Sequence, residues 1–250
     1  MSAVLDWLFT IPFLLTFGLL LLVFDPAQRI ARLFGRRPQE YVAGALQWSL
    51  VKAFGVCGTR LQVERSPTVR PHTPYIIIAN HQSMFDIPIF GALLFSNFPK
   101  YISKRSLARW IPSISYNLRR GGNAIIDRGD ADQALGAIRQ LAAEVRQRGV
   151  SAVIFPEGTR GRGGELGKFR PRGTLALLDE APEIDVIPVC IDQSWCLLRH
   201  NLLPVPFGVN VRVWIGDPIA RHPGEDAEAI LQTAEMKIRA RLEQQRAARA

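Results

Sequence analysis

A histidine and an aspartate stand five residues apart in the stretch Asn80-His81-Gln82-Ser83-Met84-Phe85-Asp86, between the apolar runs YIIIA (75–79) and IPIFGALLF (87–95). On a straight α-helix five residues turn about 500°, leaving positions i and i+5 roughly 140° apart, so the two side chains meet only if a turn separates them. With His81 in the loop leaving a strand and Asp86 in the first turn of the next helix, the carboxylate can accept a hydrogen bond from one imidazole nitrogen. The other nitrogen is then a base for a hydroxyl proton. The positive end of that helix also favours an ionised Asp86. The spacing alone leaves open a plainer alternative, a capping aspartate beside an unrelated exposed histidine.

A second candidate is FPEGTRGRGGELGKFRPRG (155–173), which carries Arg160, Arg162, Lys168, Arg170 and Arg172 among glycines 158, 161, 163, 164, 167 and 173. Backbone N–H groups and guanidinium forks in such a loop suit a phosphate. It is not a Walker A loop, because Phe169 follows the Gly-Lys pair and Arg162 stands where glycine is required, and its glycines do not make the dinucleotide fingerprint. Glu157 is placed to orient Arg160. The competing reading is a solvated run of like charges.

The elements that must hold these residues follow from periodicity. YIIIA, NAIID (123–127), SAVIF (151–155), DVIPVCI (185–191) and VNVRVWIG (209–216) read as strands. Helices are expected at IPIFGALLF, at GTLALLDEA (173–181) and over residues 131–148, where Asp130 is an N-cap and Gly149 a stop. Residues 225–250 carry Ile230, Leu231, Ala234, Ile238 and Leu242 on one stripe, the pattern of a peripheral helix. Strands alternating with helices predict an α/β layered domain with a substantially parallel sheet flanked by helices.

The N-terminal region differs in kind. Trp7 to Phe24 contains no charged residue and approaches the roughly 20 residues that cross a hydrocarbon core. No Lys or Arg precedes it, unlike a cleaved signal peptide. Tyr41 to Cys57 is a second largely apolar segment, and the two together read as a membrane-associated helical hairpin with Trp48 at the interface; a packed helix of the soluble body is the alternative for the second. Pro12 and Gly18 leave a dipping, monotopic insertion open beside a full span. Arg29, Arg32, Arg36 and Arg37 place the downstream chain in the cytoplasm by the positive-inside tendency and are positioned to grip anionic headgroups. Pro67, Pro71 and Pro74 mark a junction, giving an anchoring segment over residues 1–66 and a catalytic domain over 67–250, its first core strand near Tyr75.

A formal net charge of +9 over 250 residues implies an anionic partner: a phosphorylated substrate, an anionic leaflet or nucleic acid. Nucleic acid is disfavoured, since aromatics around the basic loop are few and the apolar segment would go unexplained. Cys57, Cys190 and Cys196 form no CxxC pair and point to a reducing compartment, and His72, His200 and His222 lack any metal-site arrangement, so no metal is expected.

Asn80 to Asp86 resembles the first motif of the glycerolipid acyltransferase family that includes the 1-acyl-glycerol-3-phosphate acyltransferases, a histidine followed by four residues and an aspartate. Gly122 to Arg128 is similar to its second motif, Phe155 to Arg160 to its third and Val186 to Val189 to its fourth, with basic Lys104 upstream of the second. Ile125, where an aromatic is usual, and Gly161, where serine is common, depart from the family and bear on acceptor or acyl-chain preference. The resemblance covers Tyr75 to Gly216. It implies that His81 is the general base and Asp86 its orienter, with acceptor binding by Lys104, Arg128, Glu157, Gly158, Thr159 and Arg160. It also implies direct transfer of an acyl chain, without a cofactor, from acyl-CoA or acyl-carrier protein to a lyso-lipid such as 1-acyl-glycerol-3-phosphate, among membrane lipids at the cytoplasmic membrane. A lyso-ornithine lipid acceptor is the alternative within the family. A non-catalytic protein binding anionic lipid is the alternative outside it.

Overall fold

The computed structural model describes residues 3–248. Seven strands, β1 (Arg60–Arg65), β2 (Ile76–Ala79), β3 (Pro99–Lys104), β4 (Ala124–Ile126), β5 (Ser151–Ile154), β6 (Val186–Asp192) and β7 (Asn210–Ile215), form a sheet in the order β1-β7-β6-β2-β5-β3-β4. All neighbours pair in parallel except β6 with β7. Helices α1 (Ala3–Leu33), α2 (Arg36–Ala53), α3 (Asp86–Leu93), α4 (Ile114–Arg120), α5 (Ala131–Arg148), α6 (Pro171–Glu180) and α7 (Ala227–Ala247) complete the fold.

Every residue of β2, β5 and β6 is buried, as both faces of a parallel sheet must be when helices cover them. The strand period of two sorts β2 between the layers: Ile77 and Ala79 join Phe13, Phe54, Phe85 and Phe90 on one face, while Ile76 and Ile78 join α5, α6 and α7 on the other. The aspartate of α5 caps as its position suggests, Asp130 accepting from the Gln133 N–H at 3.0 Å, and Gly149 ends the helix at φ 60°. On α7 the residues Leu231, Ala234, Ile238 and Leu242 are buried, the stripe expected of a helix packed on the body.

Two strands carry no legible pattern in the sequence. β1 precedes the proline-rich stretch rather than following it, and pairs with β7 at the sheet edge, so the sheet begins before Tyr75. Its RLQVER sequence is mostly exposed, and an edge strand open to solvent needs no apolar run. β3 is masked by Lys100, which is 4% exposed and sits 2.8 Å from Glu40 of α2. Glu40 also receives Arg148 of α5 at 2.8 Å, so an ion cluster joins the N-terminal helices to the sheet.

α1 is the described helix long and apolar enough to cross a membrane. One face lies on the body, with Thr10, Phe13 and Gln28 buried; the other exposes Leu8, Ile11, Leu15, Leu19 and Leu22. Polar ties run along its length: Asp6 accepts from the Phe207 N–H at 2.7 Å, Thr10 from Val205 N–H at 2.9 Å and Asp25 from Ser113 N–H at 2.7 Å. α2 packs against α1 and α3, burying Leu46 and Leu50 and exposing Trp48. The arginines after α1 are partly committed within the molecule rather than held ready for headgroups. Arg36 pairs with Glu144 at 2.9 Å, and Arg37 donates to the Arg148 carbonyl and lies over the Phe98 ring.

Candidate active site

β2 ends at Ala79, and Asn80 anchors the turn into the next helix. Its side chain donates to the Ile191 carbonyl and accepts from the Ile191 N–H, both at 2.8 Å, which clamps the end of β2 to β6. The chain then turns, and α3 begins at Asp86. The Asp86 Oδ2 atom accepts from the Gln82 N–H at 2.7 Å and the Ser83 N–H at 2.9 Å and lies 2.8 Å from His81 Nδ1. Its Oδ1 accepts the Ser194 hydroxyl at 2.5 Å. The five-residue gap is therefore a strand-to-helix turn closed by the carboxylate.

The contact sets the histidine tautomer. A carboxylate only accepts, so the ring nitrogen facing Oδ2, Nδ1, is the donor, and in the neutral ring Nε2 carries the lone pair. The ring stacks on Phe155, with centroids 4.1 Å apart and an interplanar angle of 19°, and its side chain is 17% exposed. The plainer reading of an unrelated pair does not fit this geometry.

Glu157 has a different task from orienting Arg160. It is buried, and its two oxygens accept the His81 N–H and the Gly167 N–H, each at 2.7 Å. Burial raises its carboxyl above the usual value, and those two N–H groups offset part of the rise. The Gly161 N–H donates to the His81 carbonyl at 2.8 Å, and a Cβ at Gly161 would stand 2.0 Å from the Glu165 carbonyl oxygen, so only glycine fits this approach. The basic loop is thereby stitched to the backbone of the histidine itself.

The remaining candidates share an edge. Lys104 ends β3, Arg128 follows β4, and Gly158, Thr159 and Arg160 follow β5; all five are exposed. His81 follows β2, so the candidate groups emerge at the carboxyl ends of adjacent parallel strands, where open α/β sheets bind ligands. Lys104, Arg128 and Arg160 form no ion pair among the described residues. Hydrogen bonds tie His81, Asp86 and Glu157 together directly, whereas these three cations reach outward.

An apolar cavity of about 280 Å³ lies beside this edge. Met84 and Phe85, from the same turn as His81, form part of its wall with Phe17, Leu50, Tyr101 and Leu107.

Sequence reasoning passed over Asn80, Gln82, Ser194 and Arg246. Gln82 and Arg246 both donate to the Gly164 carbonyl, at 3.0 and 2.7 Å, and so pin the middle of the basic loop. Asn80 and Gln82 flank the histidine and carried a local signal. Ser194 and Arg246 lie more than a hundred residues downstream and carried none.

Comparison with known proteins agrees with this picture. The family model described as Acyltransferase matches residues 60–192. The 1-acyl-sn-glycerol-3-phosphate acyltransferase of Escherichia coli is 32% identical over 175 residues, 68% of each chain. A lyso-ornithine lipid O-acyltransferase of Pseudomonas aeruginosa is 36% identical over 121 residues, 48% of this chain and 44% of that one. The crystal structure of a 1-acyl-sn-glycerophosphate acyltransferase from Thermotoga maritima superposes with a TM-score of 0.81 over 99% of this chain and 98% of that one, at 22% identity, and so shares the fold.

Proposed function

The chain belongs to the acyltransferase family, and from that premise we propose that it transfers an acyl chain from acyl-CoA or acyl-carrier protein to the sn-2 hydroxyl of 1-acyl-glycerol-3-phosphate, giving phosphatidic acid. The observation that carries this reading is His81, its Nδ1 held by a saturated Asp86 at 2.8 Å and its Nε2 left as a base. Nε2 takes the proton of the acceptor hydroxyl as that oxygen attacks the thioester carbonyl. The tetrahedral intermediate then collapses, the C–S bond breaks, and His81 returns the proton to the departing thiolate.

No protein nucleophile is needed. The Ser194 hydroxyl is committed to Asp86. Burial pushes the Cys57 thiol up to about 11 and the Cys190 thiol up to about 12, so neither offers a thiolate near neutral pH. Lys104, Arg128 and Arg160 bind the acceptor phosphate from the strand ends, with Gly158 and Thr159 contributing to the same loop. The apolar cavity behind Met84 and Phe85 takes an acyl chain.

The body-hugging ties of α1 and its exposed outer stripe favour a helix lying in one leaflet over one projecting across the bilayer. We place it at the cytoplasmic face of the cell membrane, where both lipid substrate and product reside. The residue ranges 1–66 and 67–250 remain our functional division into anchor and catalytic unit, with β1 of the first range completing the sheet edge.

The likeness to the lyso-ornithine lipid enzyme favours a second acceptor class. Detergent-solubilised protein assayed with acyl-CoA and acyl-carrier protein against lysophosphatidate, lyso-ornithine lipid and lysophosphatidylcholine decides between them. Preferred turnover of lysophosphatidate is expected. Equal or better turnover of an acceptor lacking phosphate sinks the phosphatidate assignment.

A further inference from the structure

Trp110 is 96% exposed. Its backbone has φ 67°, a left-handed conformation that bulky L residues seldom adopt. A loose loop would relax such a residue, but this loop is firmly held. The Ile111 N–H donates to the Ser115 hydroxyl at 2.9 Å, that hydroxyl donates to the Leu107 carbonyl at 3.0 Å, and Arg119 reaches the Ala108 carbonyl. The fold therefore fixes an indole in the open against both its hydrophobicity and its backbone preference.

The neighbourhood of the loop indicates what covers it. Ser113 donates through its N–H to Asp25 at 2.7 Å and through its hydroxyl to the Leu21 carbonyl at 2.6 Å, binding the loop to α1 beside the exposed Leu19, Leu22 and Val23. Leu107, 45% exposed, and Ile111 line the same apolar cavity as Phe17 and Leu21 of α1. Arg109, next to the indole, is exposed and in no ion pair among the described residues. An indole with an adjacent free cation, continuous with a bare apolar helix face, matches the chemistry of an anionic bilayer interface, where Trp settles at headgroup depth.

We propose that residues 105–112 form a second membrane contact, in which Trp110 inserts at the lipid interface and Arg109 meets anionic headgroups. This rests on reading α1 as lipid-bound, and it adds a point that fixes the roll of the molecule on the surface. With α1 and this loop both in the leaflet, the cavity wall they share faces the lipid, so an acyl chain reaches it without crossing water.

The test uses the full chain, as wild type and as Trp110→Ala, bound to vesicles of phosphatidylcholine and phosphatidylglycerol carrying brominated acyl chains. Subtracting the emission of the variant isolates Trp110 from the other tryptophans. The expected difference spectrum shifts to the blue on vesicles and is quenched by the brominated lipid. In addition, Trp110→Ala should raise the KM for vesicle-borne acceptor several-fold while leaving turnover in detergent micelles unchanged. A Trp110 emission that stays open to aqueous iodide on vesicles, with the protein still bound, overturns the proposal and leaves the α1 reading intact. A wild-type chain that does not bind vesicles, or a Leu15→Arg/Leu19→Arg variant that binds as well as wild type, overturns the α1 reading and the proposal with it.

Discussion

Two buried carboxylates, Asp86 and Glu40, are held by opposite means. Asp86 is satisfied mainly by the turn in which it lies, through Gln82, Ser83 and His81, with one distant hydroxyl from Ser194. Glu40 is held by three cations: Lys100 and Arg148, from distant elements, each 2.8 Å from Oε1, and Arg37 of its own helix, 3.2 Å from Oε2. Beside Asp86 the imidazole keeps one nitrogen outside the set of partners, an open set; around Glu40 the partners are all cations and the set is closed, although Oε2 has only the Arg37 ion pair and no hydrogen bond among the described residues. Buried charge orients an imidazole in one place and joins parts of the fold in the other, and the discriminating feature is whether the set of partners ends in an open atom.

The largest effect should come from breaking the open set. His81→Ala should lower kcat roughly 10²- to 10⁴-fold, the usual share of a general base, with little change in Tm. Acyl transfer measured beside thermal unfolding checks this, and an unchanged rate would remove the base from the mechanism. Breaking the closed set should do the reverse. Glu40→Ala should cost about 3–5 kcal/mol of stability by stranding a buried ammonium, while kcat in the folded fraction stays near wild type; denaturant unfolding reads it directly.

The same carboxyl carries a pH signature. Burial pushes Glu40 up, but Lys100 and Arg148 together outweigh it and hold the group below its ordinary 4.5. A carboxylate depressed by folding stabilises the fold above its unfolded value and loses that contribution as pH falls through the folded one. Wild-type stability should therefore drop on the acid side of about pH 4.5, and Glu40→Gln should flatten that limb while lowering the plateau.

Smaller effects sharpen the comparison within the site itself. Arg160→Ala should raise the acceptor KM about ten-fold or more, the worth of a charge-assisted contact, leaving donor KM in place. Arg246→Ala, which removes one tie on Gly164 while Gln82 keeps the other, should cost only about 1 kcal/mol in kcat/KM, with Arg246→Lys restoring part of it. A larger loss for Arg246 than for Arg160 would mean that loop order outranks phosphate contact.

How far each region was legible depends on the distance over which its partners are drawn. The histidine and aspartate lie within one turn, so the geometry that closes them was already one of the two readings their types and spacing allowed. The fully buried strands β2, β5 and β6 were equally plain, because burial on both faces demands unbroken apolar runs. β1 and β3 were not, the one because an exposed edge permits charges, the other because its buried lysine is answered by a glutamate sixty residues earlier. Glu157 was misread for the same reason: in sequence it stands beside Arg160, but its oxygens point at the backbone of His81 and Gly167.

By itself the sequence determined most of the alternation of helix and strand, the long apolar N-terminal helix, the motifs and the family to which they belong, all of which depend on local spacing and composition. Only the tertiary structure decided which nitrogen of His81 faces Asp86, what Glu157 holds, why Lys100 can be buried and where Trp110 is displayed. Each of these depends on a partner brought near by the sheet, and a hydrogen bond or ion pair exists only at the few ångströms that folding, not sequence order, creates.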